Sequence, residues 1–99
     1  MAMTPEAKVK KRAVAKLKAA GMYFFYPVTG GYGSSGVPDI VGCLRGKFVG
    51  IECKAGKNKP TALQQLNLDQ IEAAGGVALV ITEETADLVV DLILLHPNA

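Results

Sequence analysis

Between Val37 and Lys54 the chain reads Val-Pro-Asp-Ile-Val-Gly-Cys-Leu-Arg-Gly-Lys-Phe-Val-Gly-Ile-Glu-Cys-Lys, two apolar runs hinged on Arg45-Gly46. Such a stretch reads as a β-hairpin, and a hairpin leaves few choices of register. A two-residue loop pairs Leu44 with Lys47 and, further down, Asp39 with Glu52; Lys54 then shares the face of Glu52. A three-residue loop with a glycine bulge moves the pairing by one and sets Asp39 opposite Ile51. In the first register two carboxylates stand about 5 Å apart. At an effective dielectric near 20 they repel by on the order of 3 kcal/mol. Such a pair needs a counter-ion. Lys54 is one candidate, and a divalent metal ion is a stronger one.

The 99 residues suffice for one modest core, so a single domain over residues 1–99 is expected. No apolar run has the length of a transmembrane helix, and Met-Ala-Met-Thr-Pro-Glu-Ala-Lys at the start contains no secretory apolar region. The expectation is an intracellular, cytoplasmic protein that does not enter a membrane. Cys43 and Cys53 are the only cysteines and His96 the only histidine. No Cys-x-x-Cys or Cys/His spacing points to zinc; two reduced thiols and a solvated tail histidine are expected.

The net charge of +2 conceals an asymmetry. Residues 1–60 hold all 11 Lys and Arg and three acids (Glu6, Asp39, Glu52), whereas residues 61–99 hold six acids and no Lys or Arg. The basic half suits a polyanion such as nucleic acid. A plain solvated face is the alternative for any charge run, but all three acids of the basic half are also candidates for one site.

Thr4-Pro5-Glu6 opens a helix expected to run from Pro5 to about Ala20 and stop at Gly21. Glu6 falls on the same stripe as Val9, Ala13 and Leu17, and Lys8, Lys11 and Arg12 fall on the far side. Glu6 has two readings, a charge complementing the helix dipole and a member of the site. Met22–Val28 reads as a strand with Pro27 at its end or on a sheet edge. Thr29–Gly36 is a polar glycine loop; its Gly31-x-Gly33-x-x-Gly36 matches a dinucleotide fingerprint, but a strand-like segment follows where that fingerprint needs a helix. The loop is either a connector or a flexible segment beside nucleic acid. Ala55–Pro60 is a basic loop, and Thr61-Ala-Leu-Gln64 is a capping box opening a helix that ends at Gly75-Gly76. Gln64 points inward, and the capping box alone accounts for it. Val77–Thr82 reads as a strand covered on both faces. A last helix, capped at Thr82-Glu-Glu and running to about Leu95, is apolar nearly all round, which suggests a subunit interface. The expected fold class is α/β, in the order α-β-β-β-α-β-α, a small mixed sheet flanked by helices.

Pro38-Asp39, twelve intervening residues and Glu52-Cys53-Lys54 form a PD-(D/E)xK pattern. Together with Glu6 upstream and Gln64 opening the next helix, the blocks Gly36-Val-Pro-Asp-Ile, Ile-Glu-Cys-Lys, Thr-Ala-Leu-Gln and Ala-Ala-Gly-Gly-Val resemble the VRR-NUC (virus-type replication–repair nuclease) family, in its stand-alone form. The resemblance covers residues 4–82, roughly. It implies a restriction-endonuclease-like core and metal-dependent cleavage of DNA, with branched DNA such as Holliday junctions as a substrate.

The chemistry is consistent with the resemblance. Asp39 and Glu52 offer hard oxygens for Mg²⁺, for which Mn²⁺ substitutes, and the backbone carbonyl of Cys53 is a further ligand. Lys54 stabilises charge on the scissile phosphate and orients the attacking water. Glu6 and Gln64 hold a metal-bound water or a second, weaker ion. Candidate DNA contacts are Lys8, Lys11 and Arg12 on the first helix, Lys57 and Lys59 in the basic loop, and Tyr32, Ser34 and Ser35 in the glycine loop. The expected function is a Mg²⁺-dependent endonuclease on branched DNA, acting as a homodimer through the last helix or a sheet edge. The alternatives are a non-catalytic nucleic-acid-binding module and a nuclease of linear duplex.

Overall fold

The structure, a computed structural model, describes residues 3–28 and 36–99. The expected contacts of Tyr32, Ser34 and Ser35 lie outside the described residues. Helix α1 spans Pro5–Ala19; Thr4 Oγ1 accepts the Ala7 N–H at 3.1 Å, and Gly21 at φ +76° turns the chain away. Strands β1 (Tyr23–Phe25), β2 (Ile40–Leu44) and β3 (Lys47–Cys53) follow, then α2 (Ala62–Ala73) and β4 (Val77–Ile81). A 3₁₀ turn over Ala86–Leu88 leads into α3 (Val89–Leu94). The order α-β-β-β-α-β-α is the one expected.

The four strands form one mixed sheet in the order β1-β2-β3-β4, antiparallel except for the parallel β3–β4 pair. Between β3 and β4 the chain crosses over through α2, as a parallel pair requires. The hairpin closes with Leu44 opposite Lys47 and runs on to Ile40 opposite Ile51. Arg45 at φ +52° and Gly46 at φ +82° both lie in the left-handed region. That is the turn which matches the twist of the flanking strands, and it settles the two-residue loop over the bulged one.

Side chains alternate across β3. Val49, Ile51 and Cys53 face α1 and α3, and they join Val9, Ala13, Leu17, Ile40, Val77, Ile81, Val89 and Ile93 in the core. Burying each of the larger aliphatic side chains contributes roughly 1.5–3 kcal/mol. Phe48, Gly50, Glu52 and, by continuation, Lys54 face the side of α2. There Gly50 allows a close approach: a Cβ would stand 2.7 Å from Ile71 of α2 and 3.1 Å from Pro38.

Three expectations are corrected. The last helix does not start at Thr82. Thr82 Oγ1 accepts the Glu84 N–H at 3.3 Å and Thr85 Oγ1 accepts the Thr82 N–H at 3.0 Å, a local turn that competes with the helix. Helix α3 is therefore only six residues long. Strand β4 is an edge strand rather than one covered on both faces, and Val80 is 39% exposed. His96 is no solvated tail residue. Its Nε2 donates to Glu72 of α2 at 2.7 Å while Nδ1 accepts the Asn98 N–H at 3.0 Å, which ties the C-terminus to α2.

No helix among the described residues is long and apolar enough to cross a membrane.

Candidate metal and nucleic-acid site

The hairpin register carries Glu52 to the end of β3 with Asp39 one residue before β2. At this point the ladder changes character. Continuing the pairing sets Cys53 opposite Pro38, which has no N–H to donate. Asp39 fills half the gap, its Oδ2 accepting the Cys53 N–H at 2.8 Å. The Cys53 carbonyl receives no N–H from Pro38. Lys54 keeps the strand direction through its N–H to the Ile81 carbonyl at 2.9 Å, so its side chain lies on the face of Glu52.

Among the described residues Glu52 is the only buried charged side chain, 2% exposed, and its Oε2 has no hydrogen-bond partner there. Burial first, and the adjoining Asp39 carboxyl next, push its carboxyl up to about 8, against a partial offset from Lys54 and a further rise from Glu6. Ionising a carboxyl held that high is costly in the buried site unless a cation meets it. The Cys53 thiol points the other way, into the core. Burial first, and the Asp39 and Glu52 charges next, push it up to about 12, which leaves only its carbonyl for the site.

The structure thus brings Asp39, Glu52, Lys54 and the Cys53 carbonyl together at one end of the sheet. Glu6, half-buried in the first turn of α1, acts on Glu52 through its charge. It does not complete a cage with them: among the described residues no three His, Cys, Asp or Glu side chains are placed to hold one ion. Gln64 is committed to its helix, its Oε1 taking the Thr61 N–H at 2.9 Å in the capping box. The donor set suits Mg²⁺, an oxygen-seeking ion that keeps several waters and uses one or two carboxylates.

Of the cations expected to meet DNA, Lys8 and Lys11 are exposed on α1, and Lys57 and Lys59 on the loop after Lys54. Arg12 is engaged: its Nε and Nη2 donate to Asp87 at 3.3 and 3.0 Å, bracing α1 against the turn before α3. Three residues of this region escaped the sequence reading. Glu83 holds the basic loop by accepting the Gly56 N–H at 3.0 and 3.1 Å. Lys10, four residues after Glu6, lies with its Nζ 4.2 Å from the centroid of the Tyr26 ring.

A solved structure described as a VRR_NUC domain aligns with 90% of this chain and 97% of its own, at a TM-score of 0.72 and 24% sequence identity. The chain has the fold of a VRR_NUC domain. No protein-family model matches the sequence, and no curated protein matches it either. The VRR_NUC likeness is therefore one of backbone architecture.

Proposed function

We propose that this chain belongs to the VRR-NUC nucleases and is a Mg²⁺-dependent endonuclease of branched DNA, Holliday junctions above all. The observation that carries the reading is the buried, unpartnered Oε2 of Glu52 beside Asp39, with Lys54 on the same face. An acid in that position is costly unless a cation meets it, and Asp39, Glu52 and the Cys53 carbonyl are the groups to hold one. When bound, such an ion supplies a Lewis acid for the phosphate and a water of lowered pKa.

The chain's own residues do the rest. Lys54 faces the non-bridging phosphate oxygens and stabilises the charge that grows as water attacks phosphorus and the ester P–O bond breaks. Glu6, one side of the pair, orients a water by accepting its hydrogen bond. Lys8, Lys11, Lys57 and Lys59 grip backbone phosphates without reading sequence. The test is incubation with Mg²⁺ and labelled junction, flap, nicked and linear duplexes. Rapid cutting of the junction and little of the linear duplex is expected. Preference for linear duplex would remove the junction assignment, and no cutting of any substrate would leave only a binding module.

The protein acts as a homodimer, since symmetric cutting of a four-way junction needs two sites about a two-fold axis. Leu88, Leu94 and Leu95, at 49, 37 and 81% exposed, form apolar surface around α3 that a second copy covers. Sedimentation at micromolar concentration is expected to give twice the 10.4 kDa chain mass. A species of the single-chain mass would remove the dimer.

A further inference from the structure

Lys10 and Tyr26 border a cleft of about 290 Å³ whose remaining walls are Met3, Ala7, Lys11 and Val14. Its lining is unlike that of the larger protein surface: an apolar floor, one half-exposed aromatic ring and two ammonium groups. The cleft also has a definite place. Continuing the β1–β2 pairing one residue beyond Phe25 opposite Val41 sets Tyr26 beside Ile40, the neighbour of Asp39. Adjacent strands lie about 4.8 Å apart, so the ring stands at the same end of the sheet as the acidic pair, on the opposite face. Ala7 and Lys10 follow Glu6 on α1 and line the same end.

We propose that this cleft is a subsite for one unpaired nucleotide of the DNA strand, its base against Tyr26 and its phosphate on Lys10 and Lys11. The inference rests on the proposed action on DNA and specifies what kind of strand the site receives. A space at the low end of the range for small-molecule pockets suits a single base and excludes a stacked pair. A nucleotide has the matching division of character, an apolar π-face joined to an anion. Aromatic rings interleaved with basic groups are how single strands are held without regard to sequence.

The Lys10–Tyr26 contact explains how the ring becomes available. The Lys10 ammonium lies over the Tyr26 ring, and the Phe24 ring packs beside it at a 6.0 Å centroid separation and a 58° tilt. An exposed cation–π contact is weaker than a charge-assisted hydrogen bond to phosphate. An arriving phosphate therefore draws Lys10 off the ring and opens the face on which the base stacks. Duplex DNA supplies the phosphate but no free base to fill the opened face, because its bases are already stacked. The subsite thus favours substrates with unpaired or splayed nucleotides near the cut.

Fluorescence anisotropy in EDTA tests this without any cleavage. The probes are an oligothymidylate strand and an abasic strand of equal length and charge. The parent is expected to bind the thymidylate about 5- to 150-fold more tightly, the range that stacking one base on an aromatic ring spans. Tyr26→Phe keeps that preference. Tyr26→Leu, with an unchanged melting temperature, binds both strands equally, at the parent's affinity for the abasic one. Lys10→Gln weakens both strands alike and flattens the salt dependence by about one phosphate contact. Equal binding of the two strands by the parent, or a preference that survives in Tyr26→Leu, would overturn the subsite. An intact preference in a chain that cuts no DNA would overturn the nuclease reading alone. Lost preference in a chain that still cuts would overturn the subsite alone.

Discussion

Asp39→Asn and Lys54→Ala are each expected to lower the proposed Mg²⁺-dependent DNA cleavage by on the order of 10³-fold, the scale of removing one preorganised charge from a reacting phosphate. Neither is expected to lose its grip on DNA, because the lysines proposed to bind phosphate on α1 and on the loop at Lys57 and Lys59 are untouched. Asp39→Asn binds DNA as tightly as the parent or tighter, since a negative charge facing the phosphate has gone. The choice of asparagine matters. Asp39 Oδ2 accepts the Cys53 N–H at 2.8 Å, and alanine would leave that buried donor unpaired at a cost of about 1–3 kcal/mol. Asparagine keeps an acceptor there and removes only the charge. For Lys54 the strand is held by its backbone N–H to Ile81, so alanine removes the ammonium and leaves the ladder. The measurement is single-turnover cleavage of a labelled junction alongside anisotropy with the same DNA. Cleavage at the parent's rate by both variants would remove the enzyme from the account and leave a binding module.

The hairpin that sets this site was legible in the residues because its turn and its periodicity agreed. Arg45-Gly46 could take two positive φ values, and one register followed, with Ile40 opposite Ile51. The helix boundaries were legible for a similar reason: Thr4, Gly21, Thr61 and Gly75 act through local geometry that a few neighbouring residues determine. What was not legible depends on contacts distant in sequence. The bond from His96 to Glu72 spans 24 positions and that from Arg12 to Asp87 spans 75. Nothing near either residue announces its partner. The same holds for Lys10, whose neighbour Tyr26 is fixed only once β1 has docked at the sheet edge. Thr82 misled for the opposite reason. Its hydroxyl and that of Thr85 serve either a helix cap or a closed turn, and the turn prevailed. The site's one decisive property, the burial of Glu52, required both faces of the sheet to be in place.

Removing that buried charge makes the metal-free protein indifferent to pH where the parent is not. Burial, then Asp39, raises the Glu52 carboxyl from its ordinary 4.5 to about 8. A raised carboxyl binds its proton more tightly when folded than when unfolded, so its contribution is fully present below about 4.5 and is lost as pH rises through about 8. The rise corresponds to on the order of 5 kcal/mol at most. Glu52→Gln has no proton to lose, and its amide donates to Asp39 in the proton's place. Its melting temperature is expected to stay level between pH 5.5 and 8.5, while that of the parent falls by many degrees in EDTA. Mg²⁺ reverses the order. An ion held by Asp39 and Glu52 would displace the Glu52 proton, so its binding would release that proton and grow tighter toward pH 8. Millimolar Mg²⁺ at pH 8.5 therefore restores the parent's melting temperature through mass action, and Glu52→Gln gains little. Scanning calorimetry on both proteins, with and without Mg²⁺, reads all four curves. A parent whose melting temperature ignores both pH and Mg²⁺, or a glutamine variant that responds to the ion as strongly as the parent, would show that Glu52 is neither strained by burial nor a ligand.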